Sequence, residues 1–309
     1  MLLAILPPCG GLEERGETSG SPPAVRQDRG GDPAHKPIGQ PMTDFHTFLT
    51  THPATILIEI TGTQGSTPRE TGTFMLVSPT TIWGTIGGGQ FEYLAIENAR
   101  NLLENAGTET MDIPLGPEIG QCCGGRTQLR FRKVTDDVLN ELEARHIGEA
   151  EHRPAVYLFG AGHVGRALAV ALAPLPLAVT VIETRQEELA NLPAETATKL
   201  TAMPEALIAE IPSGSAIAIL THDHSLDFLI AREALARTDL AYTGMIGSAT
   251  KRATFSSWLS REGGEKASLA RLTLPIGGSA VRDKRPEVIA AMTAAEILAA
   301  LAAYGQRSK

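Results

Sequence analysis

The chain has 309 residues, 42% of them hydrophobic and 20% charged, which is enough for two domains with separate cores. Its formal net charge of −8 and pI near 5.5 exclude a sequence-independent hold on nucleic acid, which needs a basic field to displace condensed counterions. No uninterrupted apolar run reaches the roughly 18–20 residues of a bilayer span, so no membrane partner is expected.

Residues 1–6 are apolar, but no basic segment precedes them, and Pro7-Pro8 ends them short of the roughly 7–15 residues of a signal-peptide core. The three cysteines, Cys9, Cys122 and Cys123, make no disulfide framework, because the adjacent pair spans only about 3.8 Å between Cα atoms. A reducing cytoplasm is the expected compartment. Residues 1–41 are rich in Gly, Pro, Ser and charge without apolar periodicity, and read as a disordered extension. A smaller N-terminal α+β domain follows over 42–150. Thr43 or Asp44 caps a short helix through Phe48 and Leu49; strands are predicted over 55–61, 73–77, 81–86, 110–114 and 127–134, and helices over 91–104 and 136–146.

Three loops of this domain carry residues suited to a ligand. The first joins small residues and hydroxyls to Arg69, whose guanidinium suits a phosphate, although an ordinary surface turn explains the same composition. In the second, a strand runs through Gly87, Gly88 and Gly89 into a helix, which presents backbone N–H groups to an anion. Gln90 and Glu92, just beyond, either bond that ligand or begin the helix. In the third, Cys122 and Cys123 sit among Gly120, Gly124 and Gly125, with Arg126 placed to lower a thiolate pKa. Soft thiolates suit a transition metal or sulfur exchange, and two small buried residues in a tight turn are the plainer alternative. A closed zinc site lacks the further ligands it needs.

From 151 to 309 strands and helices alternate as in a Rossmann-type, doubly wound parallel sheet, with strands over 155–159, 178–182, 215–220 and 241–246 and a final helix over 286–303. Gly160, Gly162 and Gly165 follow the first strand and open a helix, the context that gives a glycine-rich turn its meaning. Glu183 ends the next strand, 23 positions after Gly160, where an acidic residue accepts a ribose hydroxyl, so a nucleotide is expected at this turn unless the fold is kept with an empty site. His222 and His224 fall on one side if their strand continues, as a metal or proton-transfer pair, while Asp223 or Ser225 capping a helix explains the same residues. Gly247 and Ser248 with Lys251 and Arg252 suit either an anion or a solvated cap. No P-loop, G-x-S-x-G elbow or H-E-x-x-H helix is present.

Three segments together resemble the XdhC/CoxI family of xanthine dehydrogenase accessory proteins: Gly116-Pro117-Glu118-Ile119-Gly120-Gln121-Cys122-Cys123-Gly124-Gly125, the turn over 160–165, and Thr221-His222-Asp223-His224 followed by Gly244-Met245-Ile246-Gly247-Ser248. The resemblance runs from about Ile56 to the end of the chain. It implies a molybdenum-cofactor chaperone that binds molybdopterin, shields it from oxidation and delivers it to xanthine dehydrogenase once a cysteine desulfurase has supplied its sulfur. It also implies a homo-oligomer without turnover of its own. The cofactor-binding set is then Arg69, Gly87, Gly88, Gly89, Gln90, Cys122, Cys123, Gly160, Gly162, Gly165, Glu183 and His222, with Cys122 and Cys123 as molybdenum contacts. Two other functions compete. An NAD(P)-dependent oxidoreductase would use the Gly160 turn and Glu183, with His163 or His222 for proton transfer, and would leave both thiols idle. A sulfur-transfer enzyme would carry a persulfide on Cys122 or Cys123. Glu183 stands where many relatives carry Asp, and 274–284 is less regular than the family pattern.

Overall fold

The computed structural model of the protein describes residues 45–117, 124–278 and 280–307. The chain divides into two compact units, 1–138 and 139–309, within the helix Asp136–Glu151 rather than just after it. The expected extension over 1–41 lies outside the described residues.

In the first unit α1 (Phe45–Thr51), β1 (Ile56–Gln64), β2 (Phe74–Val77), β3 (Ile82–Gly84), α2 (Gly89–Leu103), β4 (Thr110–Pro114) and β5 (Arg126–Lys133) follow in chain order, and α3 (Asp136–Glu151) leads into the second. The strands form one antiparallel sheet, ordered β3-β2-β1-β5-β4. β1 is central, and its first five residues are all buried because both faces of the sheet are covered. Ile56, Ile58 and Ile60 join Phe91, Ala95 and Ala99 of α2 in one core. Burying each isoleucine contributes about 1.5–3 kcal/mol. On the other face Phe74 stacks on Trp83 with ring centroids 5.5 Å apart, and Phe45 of α1 meets the same indole edge-on at 6.1 Å. The β1–β5 register slips between Ile60 and Gly62, a bulge that re-aims the strand just before the loop over 65–73.

The second unit continues with β6 (Ala155–Phe159), α4 (His163–Leu172), β7 (Ala178–Glu183), α5 (Gln186–Leu189), β8 (Ala197–Leu200), β9 (Ala216–Ile219), α6 (His224–Ala236), β10 (Tyr242–Met245), α7 (Ala249–Arg261), β11 (Leu272–Thr273) and α8 (Pro286–Arg307). Its six strands are parallel, in the order β11-β10-β9-β6-β7-β8. α4 and α8 pack Leu168, Leu172, Ala294 and Ile297 on one face of the sheet, while α6 and α7 pack Phe228, Ile230 and Phe255 on the other. The chain passes from β6 outward to β7 and β8, then returns to β9 on β6's other side, so the ends of β6 and β9 flank a topological switch point. The four strands expected from sequence are present. β8 and β11 were not anticipated, because every β8 residue is exposed and β11 has only two residues, so neither carries an apolar pattern.

α8 corrects the expectation about membrane-length segments. Among the described residues it is one helix of 22 residues whose apolar window has a mean hydropathy of 1.7, long and apolar enough by composition alone to cross a membrane. Val288, Ile289, Ile297, Leu298 and Leu301 supply that hydropathy together with eight alanines. Here Ala290, Thr293, Ala294 and Ile297 are buried, and α8 lies against α4.

Candidate functional site

In the first unit the three ligand-suited loops meet at one end of the sheet. Ser66 pairs with Gly124, and a Cβ on Gly125 would stand 2.1 Å from the Ser66 oxygen, so only glycine lets the two backbones touch. A Cβ on Gly87 would lie 2.6 Å from Cγ of Pro68, which sets the Arg69 loop directly against the triple glycine. Leu115 donates to the Gly125 oxygen at 2.8 Å, and Gly124 donates to the Leu115 oxygen at 2.9 Å, closing the base of the segment that carries the cysteines. Cys122 and Cys123 themselves lie outside the described residues, with the rest of 118–123. Arg69 is exposed, and its guanidinium has no partner among the described residues. Arg126 pairs with Asp112 at 2.7 Å, so part of the charge expected to act on the thiols is spent on that carboxylate.

The glycine loop already contains an anion. Glu92, buried in the first turn of α2, accepts on one oxygen from the Thr85 hydroxyl, from Ile86 N–H at 3.0 Å and from Gly88 N–H at 3.1 Å, while Gly87 N–H donates to the Thr85 hydroxyl at 3.1 Å. The N–H groups of Ile86, Gly87 and Gly88 are therefore committed, and the donors left for a ligand are the first ones of α2, from Gly89 and Gln90 onward. Glu92 braces the loop, a role the sequence reading did not consider. An acidic residue in a first helical turn after a hydroxyl and three glycines was the available signal.

In the second unit the glycine turn sits at the switch point. A Cβ on Gly160, whose φ is +121°, would lie 2.5 Å from the Leu220 oxygen, and one on Gly165 would lie 2.0 Å from the Gly160 oxygen. Above Gly162 there is nothing within 4 Å. Two of the glycines thus serve close packing and the third leaves the turn open. Glu183 is buried and turned inward, where its Oε2 accepts from Ala161 N–H at 2.8 Å. Burial opposes its ionisation, but hydrogen bonds from Arg185, Ala161 and Thr184 outweigh that and hold the carboxyl at about 2. A small, partly open cleft beside it, lined by Gly160, Glu183, Thr184, Pro204, Thr221 and Leu226 among others, has about 10 Å3 for water-sized occupants.

His222 and His224 do not share a strand. β9 ends at Ile219, and Asp223 caps α6 by accepting from Ser225 N–H at 2.7 Å, which leaves His222 exposed in the connection. Among the described residues no three His, Cys, Asp or Glu side chains stand close enough to hold a metal. Lys251 is buried rather than solvated: it ion-pairs with Asp227 and donates to the Ile246 oxygen at 2.8 Å, while Asp227 accepts from the Thr221 hydroxyl at 2.7 Å. Arg252 donates to the oxygens of Leu269 and Leu272, each at 3.0 Å, and Ser248 caps α7. Lys251 and Asp227 thus tie together the residues that follow β9 and β10, Thr221 and Ile246. Tyr242 and Glu296, also missed, do the same for β11: the phenol donates to Glu296 at 2.8 Å, and Gly277 N–H donates to the same oxygen at 3.1 Å. Burial and the Glu296 carboxylate push the Tyr242 hydroxyl well above its usual range, so it remains a donor.

An antiparallel sheet with a glycine-rich loop cluster, followed by a Rossmann sheet, defines a two-unit α/β protein. Residues 156–297 match the XdhC Rossmann domain, and residues 50–114 match the XdhC and CoxI family. The chain belongs to the XdhC and CoxI family. It is 27% identical over 252 residues to the uncharacterized protein YqeB of Escherichia coli K12, an alignment that covers 78% of this chain and 42% of YqeB. The fold is shared with a Bacillus halodurans protein described as a xanthine dehydrogenase, at a TM-score of 0.69 and 17% identity, over 85% of this chain and 96% of that one.

Proposed function

We propose that the protein serves xanthine dehydrogenase maturation in the cytoplasm, holding the molybdenum cofactor and passing its sulfurated form to that enzyme. The observation that carries this reading is that the Arg69 loop touches the triple glycine where Pro68 meets Gly87 and, at Ser66, touches Gly124 and Gly125, which directly follow Cys122 and Cys123. The donor set fits such a group. Arg69 and the first N–H groups of α2 suit its phosphate, the space left open at Gly88 and Gly124 suits a flat ring system, and two soft thiols suit molybdenum or its sulfur ligand. When bound, the cofactor brings redox chemistry that belongs to the client enzyme. This chain binds, orients and shields it. The partners implied are xanthine dehydrogenase, a cysteine desulfurase and a second copy of the chain.

The test is molybdenum and oxidised-pterin content of protein purified anaerobically and reconstituted with cofactor. Near-stoichiometric retention is expected for the wild type, its loss in Cys122→Ser or Cys123→Ser, and a drop of about tenfold in affinity for Arg69→Ala, the worth of one charge-assisted bond. A wild type that retains neither molybdenum nor pterin would sink the proposal. A persulfide on Cys122 or Cys123 after incubation with desulfurase and cysteine, seen by mass spectrometry, would instead make the protein a sulfur carrier.

A further inference from the structure

Where a Rossmann sheet with a glycine turn holds a nicotinamide dinucleotide, the adenosine ribose is received by the acidic residue at the end of the second strand. In this protein that residue has no capacity to spare. Glu183 Oε1 accepts from Thr184 N–H at 2.8 Å, the Thr184 hydroxyl at 3.2 Å, Arg185 N–H at 3.2 Å and Arg185 Nε at 3.3 Å. Its Oε2 accepts from Ala161 N–H at 2.8 Å and Arg185 Nη2 at 3.3 Å. A carboxylate offers about four lone-pair sites, and all are used.

The brace closes into a ring. Arg185 also pairs with Glu188 at 3.2 Å, Glu188 pairs with Arg166 at 2.9 Å, and Arg166 Nη1 reaches the Ala161 oxygen at 3.3 Å. Both sides of the residue between Gly160 and Gly162 are therefore held by one cycle of charges, its N–H by Glu183 and its C=O by Arg166. Arg185 neutralises the carboxylate that a ribose diol would seek.

We infer that Glu183 is an internal brace of the glycine turn rather than a ribose acceptor, and that the charge ring through Arg185, Glu188 and Arg166 closes this crevice to NAD(P). The inference concerns the second unit alone and is independent of the cofactor-holding role given to the first.

Two measurements on the full chain test it: titration with NADH and NADPH by fluorescence and calorimetry, and hydrogen exchange of the Ala161 amide, on wild type, Glu183→Gln and Arg185→Ala. The wild type is expected to bind neither nucleotide at millimolar concentration. Exchange at Ala161 is expected to rise at least about tenfold in Glu183→Gln, with a smaller rise in Arg185→Ala, which serves alone if Glu183→Gln does not fold. Saturable binding of either nucleotide to the wild type overturns the inference, whether or not Glu183→Gln weakens it. Unchanged exchange in the folded variants overturns it too, since the turn would then stand without its brace.

Discussion

Each unit holds a glycine turn in shape with a glutamate of its own. Glu92 gathers the N–H groups of Ile86 and Gly88, and Glu183 gathers those of Ala161, Thr184 and Arg185. A carboxylate is suited to this because charge-assisted bonds to backbone donors are roughly twice as strong as neutral ones. Replacing Glu92 by Ala removes the acceptor of the buried Ile86 N–H and of the partly buried Gly88 N–H, so a loss of about 1–3 kcal/mol is expected in urea denaturation, together with reduced cofactor retention. Lys251 and Asp227 are a different case, a buried ion pair at 8% and 1% side-chain exposure. Lys251→Met leaves the carboxylate uncompensated, with an expected cost of about 3–5 kcal/mol; Lys251→Met combined with Asp227→Leu should recover most of it in the same assay.

At the scale of elements, the packing of α4 onto β6 depends on Gly165 more than on any side chain in the turn. With a Cβ 2.0 Å from the Gly160 oxygen, Gly165→Ala forces α4 off the sheet, and a loss above about 3 kcal/mol is expected. Gly162→Ala is the matching control. Gly162 has a φ of −65° and open space around it, so thermal denaturation should place that variant within about 0.5 kcal/mol of wild type. Equal damage from the two substitutions would mean that close approach is not what Gly165 provides. In the first unit the central strand carries the corresponding load, and Ile58→Ala, at a fully buried position, should cost about 2–5 kcal/mol.

For the whole molecule, the depressed carboxyl of Glu183 sets how stability responds to acid. Its contribution is complete above the ordinary 4.5 and is lost as the pH falls from there toward about 2. Urea denaturation across that range should show a flatter pH dependence for Glu183→Gln than for wild type. Asp239, held well below the usual carboxylate range by Arg237, adds to the same trend.

The amino-acid sequence by itself determined the two α/β units, the main strands and the glycine turns, because apolar periodicity and glycine spacing are local properties that report local structure. It also marked Arg69, the triple glycine and the cysteine segment as separate loops of interest. Only the tertiary structure decided that Ser66, Pro68, Gly87 and Gly124 bring those loops together, since the antiparallel registers place the final residues of β1, β3 and β4 at the same end of the sheet. It likewise decided what the polar residues do: Glu92 and Glu183 face inward to their own turns, Lys251 is buried on Asp227, and Asp223 caps a helix instead of extending a strand. The physical reason is that a side chain's role depends on which donors and charges surround it. Those come from residues distant in sequence, and no local pattern records them.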